Sequence, residues 1–599
     1  MASYVASRNF ALAALVWVVA GALLISLLPQ FGGWLIALII VPFALRLLGG
    51  RFPFPRTSFD LFLCLFLLTA ALGVWAAYDP AAAWTKFWTL ASAVLVLYAL
   101  ALQPQENLNR VTLGLCALGA WVTVHFLLAF DFRMQPSDFG FIRRLGEAWL
   151  AVRPEPGLTP VNVNVTGGVL AMLLPLHFAA ALRAWRVRSR FELGWALITG
   201  AVAAFGLLLT SSRAAWLALA AGLALWGLWA VCVWIAPRLH RRAEVLFGGA
   251  MALIGAALIV IVLVYPGGLL GLANRLPGLQ SGYSRVALWA EAASLTSDYP
   301  LTGGGLDSFA GHYARYELVI PYKLFEYAHN LPLDVLFEQG VFGALALVAI
   351  VLGSLWRLFT AEAGNLRGAM LAAWAAVLLH SLVDDALYSG AGTPWLFVLP
   401  GLGLWLAPQP ASQRRWLLVQ TAALALAGLA VAVIPTWRAV ALANAGAVEM
   451  ARLELRGWPE RNWQDDQDVG QLIPARALLE QALSLDPQNR TARYRLGLIW
   501  LRQDDVEKAV GYFQMPRLPS DIPRGMAKNL GYSYTWLGRI DDGVELLRTI
   551  PEAQYEMELY AQWWPTVGRP DRGEHAAQMA RRLAELGLPY TSDPLERLP

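Results

Sequence analysis

The chain has 599 residues, 57% of them hydrophobic and only 15% charged, against roughly 25% charged in an ordinary soluble domain. That much apolar surface excludes a water-soluble globule of this size. It also excludes a disordered chain, which needs low hydrophobicity and high net charge. The net charge of +4 is unevenly placed: residues 447–599 hold 19 Lys+Arg and 23 Asp+Glu, and the rest hold 27 and 19. The cations lie in loops between apolar runs rather than in one stripe, which argues against nucleic-acid binding. Cys64, Cys116 and Cys232 all lie inside apolar runs, with neither zinc spacing nor a disulfide framework.

A spanning helix needs about 20 mostly apolar residues. Thirteen runs qualify: 10–28, 34–49, 59–77, 82–102, 111–130, 164–182, 194–211, 214–235, 246–265, 331–356, 368–388, 393–407 and 416–436, of which 393–407 is short. The expected fold is all-α: a polytopic membrane helix bundle of about 12–13 spans over residues 1–440, followed by a helical domain over 441–599. The first run, with Arg8 upstream and no small-residue cleavage site, reads as a retained anchor. Basic residues in short loops fix the orientation. With the N-terminus in the cytoplasm, the inner loops hold 16 basic residues and the opposite short connections only Lys86 and Arg213. Loops of about 131–163 and 266–330 then face outward. An odd span count sends the tail outside, and a re-entrant 393–407 would turn it inside.

The tail repeats at 34 residues. Leu496-Gly497 is followed by Ala509 and Phe513, and Leu530-Gly531 by Tyr534, Gly543 and Leu547. Upstream, Ala475, Leu479, Ala482 and Asp486-Pro487 fit the second helix of a preceding unit. The positions resemble the tetratricopeptide pattern of paired helices. Small residues at Ala509 and Gly543 would let the helices of a pair approach. Such arrays offer a concave surface for protein or ligand contact.

Polar groups gather at the outer ends of the spans, where charge demands a reason. In the second outer loop, Arg285 and Trp289 share a helix face, and Asp298-Tyr299-Pro300-Leu301-Thr302-Gly303-Gly304-Gly305 breaks the helix with glycines that let backbone approach a ligand. Ala328-His329-Asn330 stands before the next span, and Glu338-Gln339-Gly340 near its start. A Thr210-Ser211-Ser212-Arg213 turn, an Asn162-Val163-Asn164 element and a His380…Asp384-Asp385 group complete the set. Asn164 also suits a helix N-cap. His380 and Asp384, one turn apart, suit a structural pair. His312 and Arg315 read as an exposed loop face.

The order of these clusters resembles the O-antigen ligase and O-antigen polymerase superfamily, which includes bacterial protein O-oligosaccharyltransferases. The similarity rests on Arg285…Trp289, the Asp298–Gly305 block, Ala328-His329-Asn330, Glu338-Gln339-Gly340-Val341-Phe342-Gly343 and Ser212-Arg213. It covers roughly residues 1–435. The family's Asn-Pro-Asn element is here Asn162-Val163-Asn164, without the proline.

The resemblance implies a glycosyltransferase of the GT-C type in the bacterial cytoplasmic membrane. It would move a glycan from undecaprenyl diphosphate to an acceptor hydroxyl on the outer face, with inversion and without a metal or other cofactor. By that resemblance Arg213 and Arg285 would bind the diphosphate, and His329 would serve the acceptor hydroxyl. Asn164, Trp289, Asp298, Gly303, Gly305, Asn330 and Glu338 would support the site or touch substrate. Guanidinium suits the first role because its paired donors match phosphate oxygens. The acceptor is left open among a lipid core, another glycan unit (a polymerase) and a protein, towards which the repeat tail tilts. Two other classes fit less well. A transporter or flippase should carry its polar groups at the midplane, and a scaffold leaves the Arg213, Arg285 and His329 order without a cause.

Overall fold

A computed structural model describes residues 2–134, 136–154, 157–158, 161–264, 285–320, 324–360, 364–406, 421, 428, 433–460, 470–514 and 522–587. Among them the protein is all-α, with no β-strand. It is a polytopic helical membrane protein. Nine of the described helices are long and apolar enough to cross a membrane: Arg8–Leu27, Pro29–Leu48, Pro80–Ala101, Gln105–Ala129, Val163–Arg186, Arg190–Leu209, Arg213–Ile235, Ala243–Ile261 and Leu331–Phe359. Three shorter apolar helices, Asp60–Ala76, Leu366–Ser381 and Gly390–Leu406, complete twelve of the thirteen runs. The run 416–436 lies largely outside the described residues.

Two runs differ from expectation. The run 368–388 is helical only to Ser381, and residues 382–389 form an irregular turn. The run 393–407 begins as a 3-10 segment, Gly390–Trp395, before the nine-residue helix Val398–Leu406.

Burial sorts the helices. Val163–Arg186 has 78% of its apolar window buried and sits centrally, whereas Ala243–Ile261 has none buried. Asn162 caps the central helix, its side chain accepting from the amides of Asn164 (2.7 Å) and Val165 (3.4 Å), and Arg183 and Arg186 stand in its last turn, matching the helix dipole at each end. The Leu331–Thr360 helix packs along Asp60–Ala76. At Gly73 a Cβ would lie only 2.7 Å from the Glu338 carbonyl oxygen, so the two backbones touch where a side chain would separate them.

The C-terminal helices run in antiparallel pairs. Arg490–Arg502 packs on Val506–Phe513, Arg524–Trp536 on Ile540–Leu547, and Ala553–Thr566 on Pro570–Glu585. The close approaches within the first two pairs are at Gly497, 2.3 Å from the Phe513 ring by its would-be Cβ, and at Gly531, 2.7 Å from Leu547. Gly543 lies against its paired helix as expected, its would-be Cβ 3.1 Å from the Gly531 carbonyl oxygen, and also meets Met579 of a later helix at 2.6 Å. These helices share an apolar core with the loop preceding His329: Leu288, Leu295, Tyr299, Phe309, Tyr313 and Tyr316 cluster with Ala447, Met450, Leu479, Leu496 and Phe513.

Candidate functional site

The segment Leu382–Asp385 is the meeting point. Arg285, the first residue of the Arg285–Thr296 helix, donates from Nη1 to the Val383 carbonyl oxygen. Asn330 donates from Nδ2 to the Leu382 carbonyl oxygen at 2.8 Å. His329 Nδ1 lies 3.8 Å from Asp384 Oδ2 and 3.8 Å from Asp385 Oδ1. Asn164 hydrogen-bonds the Asp384 side chain and accepts from Ser212 Oγ at 2.8 Å. Asn164 is thus a tie between two helices and the turn, and the capping role belongs to Asn162. Asp384 faces His329 and Asn164, so the expected structural pairing with His380 gives way to a place at the site. Tyr283 and Ser284, which precede Arg285 in the sequence, lie outside the described residues.

His329 is held in the left-handed region, with φ +52°. That conformation is uncommon for a residue with a Cβ. Its cause is the residue five positions further on: Asp334, 1% exposed, accepts from the Ala328 amide (2.8 Å) and the Asn330 amide (3.2 Å). The Leu333 amide in turn donates to Asn330 Oδ1 at 3.1 Å. His329 is therefore turned out between two pinned amides. Strain of this kind concentrates at functional sites.

Arg213 is the first residue of Arg213–Ile235, whose cap Ser212 accepts from the Ala215 amide at 3.4 Å. Its guanidinium donates to Asp138 Oδ2 at 2.6 Å and lies 5.6 Å from the Phe139 ring. Asp138 is 80% exposed, and so open a pair is worth about 0–1 kcal/mol, cheap to exchange for another anion. Arg285 and His329 converge on the 382–385 turn; Arg213 is joined to it through Ser212 and Asn164.

Behind His329 the glycine block is a packing device. Gly340, at φ +69° and ψ −174°, breaks the Leu331–Thr360 helix. The break frees Val341 to donate to the Pro300 carbonyl oxygen at 2.8 Å, and Gly304 donates to the Phe337 carbonyl oxygen at 2.6 Å. At Gly303 (φ +74°) a Cβ would lie 2.4 Å from Glu338 backbone, and at Gly305 2.5 Å from Ala77 Cα. The close backbone approach expected here is to protein.

Glu338 is 1% exposed and accepts from Lys86 Nζ at 2.8 Å and from the Asp307 amide at 3.0 Å. The Lys86 ammonium lies 4.9 Å from the Tyr327 ring and 4.4 Å from that of Tyr388. Lys86 and Asp334 are the members that sequence reasoning missed. Lys86 did leave a trace, as one of the two cations in the short connections opposite the basic loops.

The remaining residues sit behind these. Trp289 is half-buried on the Arg285 helix. Asp298 is 4% exposed and accepts from Arg490, Thr491 and Arg495 of the tail, a supporting place. Burial alone would raise its pKa, but the two guanidiniums hold it below the ordinary carboxylate value. His312 is fully buried among Tyr78, Tyr299, Tyr316 and Phe337, with Nδ1 2.7 Å from the Ser308 carbonyl oxygen. Burial pushes its pKa down to about 3. Arg315 pairs with the buried Glu454 at 3.2 Å. The exposed face expected for His312 and Arg315 is a core, because the tail covers it.

One further property follows from the geometry. His329, Asp384 and Asp385 each offer an atom within 4.8 Å of the others, a spacing that a metal ion would accept.

Residues 196–348 match the O-antigen ligase family model. The match takes in Arg213, Arg285, His329 and Glu338 and supports the ligase and polymerase superfamily that the motifs resemble. No curated protein matches the chain.

Proposed function

We propose that the protein is a membrane glycosyltransferase that moves a glycan from a polyprenyl diphosphate, undecaprenyl diphosphate in bacteria, to an acceptor hydroxyl at the outer face of the cytoplasmic membrane. The observation that carries this reading is the convergence of Arg285 and His329 on the 382–385 turn, within a chain that matches the O-antigen ligase family over 196–348. Members of that family are glycosyltransferase-like enzymes acting on lipid-linked glycans.

The acceptor oxygen attacks the anomeric carbon while the bond from that carbon to the diphosphate oxygen breaks on the opposite face, which inverts the configuration. His329 takes the hydroxyl proton. Imidazole is the side chain whose chemistry suits this at neutral pH, and Asp384 and Asp385, each 3.8 Å from Nδ1, orient the ring. The leaving diphosphate gathers negative charge, which Arg285 and Arg213 meet with bidentate donors. Arg213 begins a 23-residue helix, whose N-terminal dipole adds to the attraction.

The paired C-terminal helices form a tetratricopeptide-like array on the same outer side, where a protein acceptor or partner would dock. The same motifs serve a lipid-core acceptor or a growing glycan chain.

The test is transfer from a purified lipid-linked glycan by full-length protein in nanodiscs. His329→Ala should retain donor binding and lose about 10²–10⁴-fold in kcat, and Arg285→Ala should weaken donor binding. Wild-type turnover in His329→Ala would end this reading. The cluster of His329, Asp384 and Asp385 favours one alternative use, a bound divalent ion. Transfer that stops in EDTA and returns with a divalent ion would reassign the three residues to it. Transfer that persists in EDTA keeps them as a base and its orienting carboxylates.

A further inference from the structure

The loop that carries the site is fastened to the tail by buried charge. Asp298 Oδ1 accepts from Arg490 Nη2 and from Thr491 Oγ1, both at 2.8 Å, and Oδ2 accepts from Arg495 Nη2 at 2.9 Å. Arg495 is fully buried, its guanidinium 3.4 Å from the Tyr316 ring centre and 3.0 Å from the Tyr299 hydroxyl. Three and four residues past Asp298, the Leu301 and Thr302 amides donate to Asn444 Oδ1 at 2.9 and 3.2 Å, and Asn444 Nδ2 donates to Thr302 Oγ1 at 2.7 Å. Glu454, 1% exposed, accepts from the Tyr316 hydroxyl at 2.9 Å and pairs with Arg315 and Arg502. The Tyr494 hydroxyl donates to the Tyr316 carbonyl oxygen at 2.8 Å, and Lys528 Nζ to that of Leu318 at 2.5 Å.

These anchors act on a short stretch with the chemistry at both ends. Asp298 lies just past the Arg285–Thr296 helix, and Pro300–Gly305 rests on the backbone of Phe337–Val341 next to Glu338. A buried charge network is a costly way to stabilise a fold, since apolar packing of the same volume does as well or better. Its gain is a single geometry.

We propose that Asp298 and Arg495 are positioning residues of the transfer site. Through them the tail fixes the end of the Arg285 helix and the Pro300–Gly305 turn, so that the repeat domain is a working part of the transferase. This rests on the transferase reading above.

The experiment compares wild-type protein, Arg495→Met, Arg495→Lys and Asp298→Asn at full length in nanodiscs. It reads transfer kcat and donor KM beside backbone hydrogen exchange at residues 299–306. Arg495→Met is expected to lower kcat at least tenfold with a smaller change in KM, and to speed exchange at the Gly303, Gly304 and Leu306 amides while the Val169–Ala179 helix keeps its protection. Arg495→Lys, which keeps the charge but not the fork, should recover part of both. If Arg495→Met does not fold, Asn444→Ala, a smaller lesion in the same anchor, takes its place. A folded variant with wild-type kcat overturns the proposal, whether or not exchange has risen. If wild-type protein moves no glycan, the transferase reading fails separately and exchange decides: unchanged protection in Arg495→Met overturns the clamp.

Discussion

Lys86 shows how one side chain acquires a role from distance along the chain. Its ammonium and the Glu338 carboxylate are 252 positions apart in sequence and 2.8 Å apart in space. Removing one partner of a buried pair costs about 3–5 kcal/mol because the other charge is left uncompensated. Lys86→Met should therefore lower stability by about that amount and lower transfer with it, while Lys86→Met with Glu338→Gln should recover much of the stability. Equal melting of the single and double variants would show that the pair does not matter. Glu317 carries a pH prediction. Burial, and then the charge of Glu291, raise its carboxyl to about 8, and it accepts from the Gly525 amide of the tail. Arg490 and Asp298 also act on it, with opposite signs. Between the ordinary value of 4.5 and about 8 the folded state holds a proton that the unfolded chain has lost, so stability falls as pH rises through that window. Asp298 and Glu454, held low by arginines despite burial, contribute stability above their unfolded values that is lost only in acid. Melting of the wild type should thus drop from pH 5.5 to 8, and Glu317→Gln should flatten the slope. A slope that survives in Glu317→Gln would remove this group as its source. Arg285, His329 and Asn330 could be marked as candidates in the sequence because they stand in motifs at the ends of apolar runs, and the structure brings all three to the 382–385 turn. The partner of Asp298 was not, since nothing local marks Arg495 as its mate.

The helix Leu331–Thr360 is informative as an element because it is broken. Hydropathy sees one apolar run and the motif supplies a glycine, but only the backbone at Gly340 shows that the run is interrupted to receive Pro300–Gly305. A residue with a Cβ at φ +69° and ψ −174° occupies a region that is essentially restricted to glycine, at about 1–3 kcal/mol. At Gly340 that Cβ would also lie 2.6 Å from the Leu301 carbonyl oxygen. Gly340→Ala should therefore destabilise the protein by a few kcal/mol and cut transfer at least tenfold; wild-type melting and rate would show that the turn does not need the break. The spans themselves were readable from apolar length alone, and twelve of the thirteen runs hold an apolar helix, two of them over only part of the run. The end of 368–388 was not readable, because Leu382, Val383, Ala386 and Leu387 keep the run apolar while Asp384 and Asp385 turn it into the floor of the site.

At the scale of the whole molecule, the placement of basic loops has a direct test. In a background with Cys64 replaced, a membrane-impermeant maleimide should label Met134→Cys and Glu574→Cys on intact spheroplasts, and Arg51→Cys only after permeabilisation. The reverse pattern would invert the proposed topology and move the site to the cytoplasm. The shared core of loop and tail was hidden from sequence reading for a physical reason: each half reads as complete, an apolar bundle and a helical array, and only their joint burial of Tyr299, Tyr316 and Arg495 makes them one body.

That joint burial also sets an order of events during synthesis. Asp298 leaves the ribosome 197 residues ahead of Arg495, which at 5–20 residues per second is roughly 10–40 s. For that interval the segment bearing Arg285 has no mate, although the spans on either side of it are already threading into the bilayer. If the transferase reading holds, a nascent chain of this protein stays silent until Arg495 has emerged, and a ribosome that stalls short of that residue leaves an inserted bundle with an unfinished mouth.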